Sequence, residues 1–407
     1  MYIYKVGVVG AGTMGAQIAE VVSYAGLPVL VVDRQEDLAM QGVAAVRRIY
    51  QARVDKGKMT PEQLEDKMLL VHASTNLEDL KDVDLVIEAV PEDLTLKQQV
   101  FHTLDRLCPR NAILASNTSA LSISALGAGA GRPGQVIGLH FFNPAYAMPL
   151  VEVIPGLATD PHTVDDVVGF AESLRKTPVI VKECAGFLVN RLLLPYMNEA
   201  VWCLQDSGLS IKDIDQDMVS FGMPVGPFAL LDSVGLDIAL EVARILHRSY
   251  GPRMAPAPLL EALVKAGRTG VKAGHGFYEY GNEDERAGTQ RLEDLVQQLR
   301  QLSGSHRRDW TRARPLLAMV NEAVIALQEG VASARDIDLA VVAGTGFPND
   351  KGGPLHLADQ LGIDQVLRQL EEFTESLGIR FWPAPMLRRM VDAGFTGRPA
   401  GRGFFQY

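Results

Sequence analysis

The chain has 407 residues, 47% of them hydrophobic, which suffices for two or three domains with conventional buried cores and excludes a disordered protein. Its 39 Lys+Arg against 49 Asp+Glu give a net charge of -10, which argues against a nucleic-acid or anionic-membrane surface as the main partner. The three cysteines, Cys108, Cys184 and Cys203, have no paired or metal-ligand spacing, so no metal site is expected and a reducing compartment is the simplest reading. No apolar run approaches a membrane helix, and the chain opens on YIYKVGVVGAG without a charged-then-apolar leader, so a soluble, cytoplasmic protein is expected.

YKVGVVGAGTMGAQIAEVVSYAG reads as a strand, a glycine turn and a helix running through Ile18 to Ala25. In the loop Gly10, Gly12, Thr13, Met14, Gly15 the first glycine allows the tight turn, the second lets backbone approach a pyrophosphate, and the third lets helix and strand pack closely. The helix N-terminus then faces the phosphates with its unpaired N–H groups. A second strand, LPVLVVD, ends in Asp33, 18 residues beyond Gly15, where a carboxylate accepts from the adenine ribose hydroxyls and favours NAD over NADP. Arg34 beside it is a side chain that tolerates a 2′-phosphate.

Between Asp33 and the third strand lies a long crossover carrying Arg47, Arg48, Arg53, Lys56 and Lys58. Any one of them is explained by a solvated helix face, and together they form a cationic arm suited to the phosphates of a large anion. Further apolar strands at 68–73, 83–89 and 112–116 complete the pattern of a doubly wound parallel sheet, an α/β dinucleotide-binding domain.

ASNTSA follows the last of these strands, which puts Asn117 and Ser119 at the carboxyl edge of the sheet. VIGLHFFNP is another strand ending in His140, and PLVEVI a further one carrying Glu152. A histidine takes and returns a proton near neutral pH, and a neighbouring carboxylate fixes its tautomer. A packed histidine and a solvent-facing strand glutamate are the bland alternative.

GAGTMG, ASNTS, GLHFFNP, LVEV, GFLVNRLL, GMPVGPFALLD and GHGFYEY, in this order and spacing, resemble the 3-hydroxyacyl-CoA dehydrogenase family over residues 1 to about 280. The resemblance implies that His140 and Glu152 are the proton-transfer unit and that Ser119 and Asn190 contact the substrate beside the reacting oxygen. It further implies that Glu92, Lys97 and Asn143 help hold NAD and that Lys56 lies near the CoA part. The implied reaction is oxidation of an (S)-3-hydroxyacyl-CoA, such as 3-hydroxybutyryl-CoA, to the 3-oxoacyl-CoA, as in fatty acid metabolism. Ala185 departs from the proline that family members often carry there, which alters loop stiffness and leaves the chemical groups in place. No hydratase-like region precedes the glycine loop, so a single activity is expected.

The C-terminal part is an internal repeat. Residues 197–218 match 320–341, 226–237 match 353–364, and 274–280 match 401–407, so two all-α domains are expected at 184–281 and 311–407, after a dinucleotide domain at 1–183. The polar stretch 282–310 reads as a linker. Aligning the copies sets Asn190 opposite Ala313 and Arg191 opposite Arg314, so the second copy lacks the proposed polar contact. Its expected role is structural, covering the first copy as a second subunit does, which leaves a pseudo-dimeric monomer and a homodimer both open. A second binding site around 344–354 is the competing idea for this copy. Two other functional readings compete with the acyl-CoA ester: a dehydrogenase of a free hydroxy acid or sugar acid, for which the cationic arm would be dispensable, and a catalytically silent NAD-binding protein.

Overall fold

A computed structural model describes residues 2–207, 209–281, 285–303 and 310–407. The chain divides into two compact units, Met1–Phe187 and Leu188–Tyr407.

The first unit is built on one eight-stranded sheet in the order β3-β2-β1-β4-β5-β6-β7-β8. The strands are β1 (Val6–Val9), β2 (Val29–Val32), β3 (Val71–Ser74), β4 (Leu85–Glu88), β5 (Ile113–Ser116), β6 (Val136–Phe141), β7 (Leu150–Pro155) and β8 (Thr177–Ile180). Strands β1 to β6 are parallel, β7 runs antiparallel to β6, and β8 is parallel to β7. β1, β4 and β5 are buried at every residue, as continuous apolar runs covered on both faces must be. The helices of this unit are α1 (Thr13–Tyr24), α2 (Glu36–Asp55), α3 (Pro61–Met68), α4 (Leu94–Leu107), α5 (Ile123–Ala128) and α6 (Pro161–Ser173).

One sequence expectation shifts here. The apolar run at 68–73 is not strand throughout, because Thr60 and Gln63 form a capping box with Pro61 in the first turn and start α3, which consumes the chain as far as Met68. The strand begins only at Val71.

The second unit is helical. Its first copy comprises α7 (Val189–Asp206), α8 (Ile211–Phe221), α9 (Pro227–Val234), α10 (Leu236–Tyr250) and α11 (Pro258–Lys265); then come α12 (Glu285–Ser303) and a second copy, α13 (Ala313–Gln328), α14 (Ala334–Thr345), α15 (Pro354–Leu361), α16 (Ile363–Leu377) and α17 (Pro385–Asp392). The stretch expected as a linker therefore contains a helix, which buries Leu292 and Val296, four residues apart, and packs on α7 and α11.

The repeat reflects shared buried chemistry. Asp215 caps α9 by accepting from Phe228 N at 2.9 Å, and Asp338 caps α15 by accepting from Leu355 N at 2.8 Å. Asp232 accepts from Phe277 N and Tyr278 N, and Asp359 from Phe404 N and Phe405 N. The Gly-x-Gly-Phe ending of each copy follows from this: a Cβ on Gly276 or Gly403 would sit 2.0 Å from the aspartate oxygen that organises the turn. Among the described residues no helix is long and apolar enough to cross a membrane, and no cluster of His, Cys, Asp and Glu has the makings of a metal site.

Candidate active site

The glycine loop joins β1 to α1. Gly10 has φ +103° and backbone of Ala89 where a Cβ would go, and a Cβ on Gly15 would lie 1.8 Å from the Gly10 carbonyl oxygen. Gly12 is the opposite case: nothing lies within 4 Å of its Cβ position, and as N-cap of α1 it supplies no side-chain cap. The first turn of α1, with Thr13 exposed and Met14 half-buried, thus presents its N–H groups to open space. Asp33 follows β2 directly; its Oδ2 accepts from Ala11 N at 2.8 Å and its Oδ1 from Arg34 N at 2.7 Å. An open glycine at a helix N-terminus beside a fixed carboxylate fits the pyrophosphate and ribose of a dinucleotide.

His140 and Glu152 face each other in the antiparallel register of β6 and β7. His140 Nδ1 lies 2.7 Å from Glu152 Oε2, and both are buried, Glu152 completely. The imidazole is walled by Phe142, with ring centroids 4.6 Å apart, and by Phe187 at 5.9 Å. With Nδ1 on the carboxylate, Nε2 is the nitrogen left for a substrate.

The loop after β5 is anchored from several sides. Asn117 Oδ1 accepts from Phe141 N at 2.9 Å, tying the loop to the strand that carries His140. Glu92 Oε1 accepts from Thr118 Oγ1 at 2.5 Å and Ser119 N at 3.0 Å, with Ser119 Oγ at 3.4 Å. Lys97 is 1% exposed, with its ammonium 2.7 Å from Glu88 Oε1 and 3.2 Å from Glu92 Oε2. Asn143 Oδ1 accepts from Gln17 Nε2 at 3.1 Å, and Gln17 Oε1 in turn accepts from Ala145 N at 2.7 Å.

Two residues in these networks escaped the sequence reading. Glu88, an acid inside an apolar strand, was a visible signal; Gln17, a polar residue in an apolar helix face, gave none.

The cationic arm is smaller than its composition suggests. Arg47 is held by both oxygens of Glu65 on α3, at 2.6 and 2.9 Å, and Arg53 turns inward to Glu20 at 2.7 Å. Arg48, Lys56 and Lys58 remain exposed. Asn190 stands in the first turn of α7, in the helical unit, half-buried.

The sheet order and glycine loop define a dinucleotide-binding α/β protein of the doubly wound kind. The chain matches the 3-hydroxyacyl-CoA dehydrogenase NAD binding domain over residues 5–184 and the C-terminal domain of the same enzymes over 186–280 and again over 311–407. It belongs to the 3-hydroxyacyl-CoA dehydrogenase family. It is 39% identical over 398 residues to a fatty acid oxidation complex subunit alpha from Shewanella amazonensis, an alignment covering 97% of this chain and 56% of that protein. The chain thus spans about half the length of the curated relatives it matches. Among solved structures, a 3-hydroxybutyryl-CoA dehydrogenase from Escherichia coli K12 superposes with a TM-score of 0.87 at 30% identity, covering 97% of this chain and 100% of that one. An (S)-3-hydroxybutyryl-CoA dehydrogenase from Ralstonia eutropha gives 0.67 at 40% identity over 69% of this chain and 100% of its own.

Proposed function

We propose that this chain is an NAD-dependent (S)-3-hydroxyacyl-CoA dehydrogenase that interconverts a 3-hydroxyacyl-CoA, such as 3-hydroxybutyryl-CoA, and its 3-oxoacyl-CoA. The observation that carries this reading is the 2.7 Å contact between His140 Nδ1 and Glu152 Oε2, at the carboxyl edge of the family's NAD-binding domain.

NAD, when bound, would supply the acceptor for the hydride leaving C3. The glycine loop and the start of α1 bind its phosphates, Asp33 its ribose hydroxyls, and Asn117 and Asn143 line the approach. Glu152 keeps the proton of the imidazole on Nδ1, so Nε2 is basic and accepts the proton of the 3-hydroxyl. The imidazolium that forms is stabilised by the buried carboxylate, and in the reduction the same Nε2 returns the proton. Ser119 donates to the substrate oxygen as charge develops on it. Lys56 attracts the phosphates of CoA.

The second helical copy serves as a built-in partner, which favours a pseudo-dimeric monomer over a homodimer; its support is the reciprocal pairing of Arg191 with Glu322 and of Arg314 with Glu199. The isolated spacing of Cys108, Cys184 and Cys203 along the chain supports a cytoplasmic location.

The test is loss of NADH absorbance with acetoacetyl-CoA for the wild type and His140→Ala, with free acetoacetate as control. Turnover of the CoA ester alone, abolished in the variant, is expected. Turnover of neither compound by the intact protein would overturn the reading, and an unaffected variant would remove His140 from it.

A further inference from the structure

The loop between β6 and β7 carries Asn143 and is fastened by two side chains from elsewhere in the first unit. Lys176 Nζ donates to the carbonyl oxygens of Ala145 at 2.5 Å and Met148 at 2.9 Å. Gln17, 8% exposed on α1, holds the same loop through its amide: Oε1 accepts from Ala145 N at 2.7 Å, and Nε2 donates to Asn143 Oδ1 at 3.1 Å.

These bonds have one consistent direction. A backbone N–H is only a donor, so Ala145 fixes which end of the Gln17 amide faces it, the oxygen. The Gln17 nitrogen then faces Asn143, which must answer with its own oxygen. The Asn143 amide nitrogen is thereby turned away from Gln17, on a side chain that is exposed. Asn143 stands three residues beyond His140 and next to Phe142, which walls the imidazole. Within the sheet, β6 lies on the opposite side of β1 from β2, whose end carries Asp33. A dinucleotide with its adenine ribose at Asp33 thus extends its nicotinamide half toward Asn143.

We propose that Gln17 is a positioning residue for the cofactor: it turns the Asn143 amide so that an N–H, not the carbonyl oxygen, meets an oxygen acceptor on the nicotinamide half of NAD. The inference rests on the proposed binding of NAD beside His140. An amide accepts at one end and donates at the other, which neither a carboxylate nor a hydrocarbon of that length does. Lys176 holds the loop independently, so the direction of the Asn143 amide and the fold of the loop are separable.

NADH binding to the full chain, followed by fluorescence, tests this with Gln17→Glu, Gln17→Met and each combined with Asn143→Ala. In Gln17→Glu a carboxylate faces Asn143, which turns its nitrogen inward and its oxygen outward, so NADH affinity should fall about tenfold or more. In Gln17→Met the Asn143 amide is free to turn either way, and the loss should be only about threefold. With Asn143→Ala in place, neither substitution should cost more than about twofold further, because the group being turned is gone. ADP, which lacks the nicotinamide half, should bind every variant within about twofold of wild type.

A loss in Gln17→Met as large as in Gln17→Glu, losses that persist beside Asn143→Ala, or a parallel loss of ADP would overturn the proposal. If Gln17→Glu does not fold, the disappearance or persistence of the Gln17→Met loss beside Asn143→Ala decides alone. A wild type that binds NADH and leaves acetoacetyl-CoA unchanged would sink the dehydrogenase reading while these affinities still decide the positioning. A wild type that binds no NADH would overturn both.

Discussion

Arg191 and Arg314, equivalent residues of the two helical copies, reach across to each other's copy. Arg191 Nε lies 2.7 Å from Glu322 Oε1, and Arg314 Nη2 lies 2.6 Å from Glu199 Oε1. Glu199 and Glu322 are themselves equivalent, and each receives a second arginine, Arg380 at 2.7 Å and Arg253 at 3.1 Å. α7 and α13 pack together around this arrangement, which has the symmetry of a two-fold contact within one chain.

Removing one partner of such a buried network leaves charge without compensation. Arg314→Ala should lower the unfolding free energy of the helical unit by about 3–5 kcal/mol, read as a shift in the urea midpoint. A loss under about 1 kcal/mol would show that water replaces the guanidinium and that the contact contributes little.

His140→Ala is expected to reduce kcat by about 10²–10⁴ and leave NADH binding, measured by fluorescence, close to wild type. Glu152→Gln should reduce kcat less, since the amide keeps the ring oriented through its carbonyl oxygen and loses only the charge that stabilises the imidazolium. Equal losses would assign the main work of Glu152 to charge.

Asp33→Ala should weaken NADH by about tenfold or more, the loss of hydrogen bonds to a charged acceptor, and affect NADPH less. Parallel losses for both cofactors would mean that Asp33 acts on the fold of the glycine loop through its bond from Ala11 N.

Glu20 on α1 is fully buried, and that burial pushes its carboxyl up from the ordinary 4.5 to about 7, against the opposing charges of Arg53 and Lys176. The sign follows from linkage: the folded state binds this proton more tightly, so the contribution is complete below 4.5 and is lost as pH rises through about 7. Glu20→Gln should flatten stability between pH 5 and 8, by at most roughly 3 kcal/mol at the upper end. An unaltered pH profile in chemical denaturation would contradict it.

The two capping aspartates obtain their last partner differently. Tyr278 Oη donates to Asp215 at 2.8 Å, whereas His356 Nδ1 meets Asp338 at 2.6 Å and stacks on Phe405, the counterpart of Tyr278. His356→Ala should cost about 1–3 kcal/mol by leaving Asp338 short of a donor, and adding Phe405→Tyr should recover part of it by restoring the first copy's arrangement. Additive losses in thermal or urea unfolding would refute the equivalence.

Much of the first unit is legible in sequence because its signals are local. The glycines at 10, 12 and 15 and Asp33 at the end of an apolar strand are each read from a short stretch of chain, and in the helical unit MNEAV and VNEAV repeat one short segment. The strand boundary at Val71 was not legible, since a capping box outweighs the apolar run that follows it. The helix Glu285–Ser303 was missed within the polar stretch, although Leu292, Leu295, Val296 and Leu299 recur there at helical spacing.

Sequence by itself determined the residue types available for chemistry, the dinucleotide loop and the duplication, because each follows from spacing along the chain. Tertiary structure decided which of those residues meet. His140 is paired with Glu152 by the register of an antiparallel strand pair, and Arg47 and Arg53 are drawn out of the cationic arm by Glu65 and Glu20. Lys97 is enclosed between two carboxylates rather than left open to solvent. The physical reason is common to the buried pairs: a buried charge is tolerated only beside an opposite one or a hydrogen-bond partner, and only the folded chain brings that partner within about 3 Å.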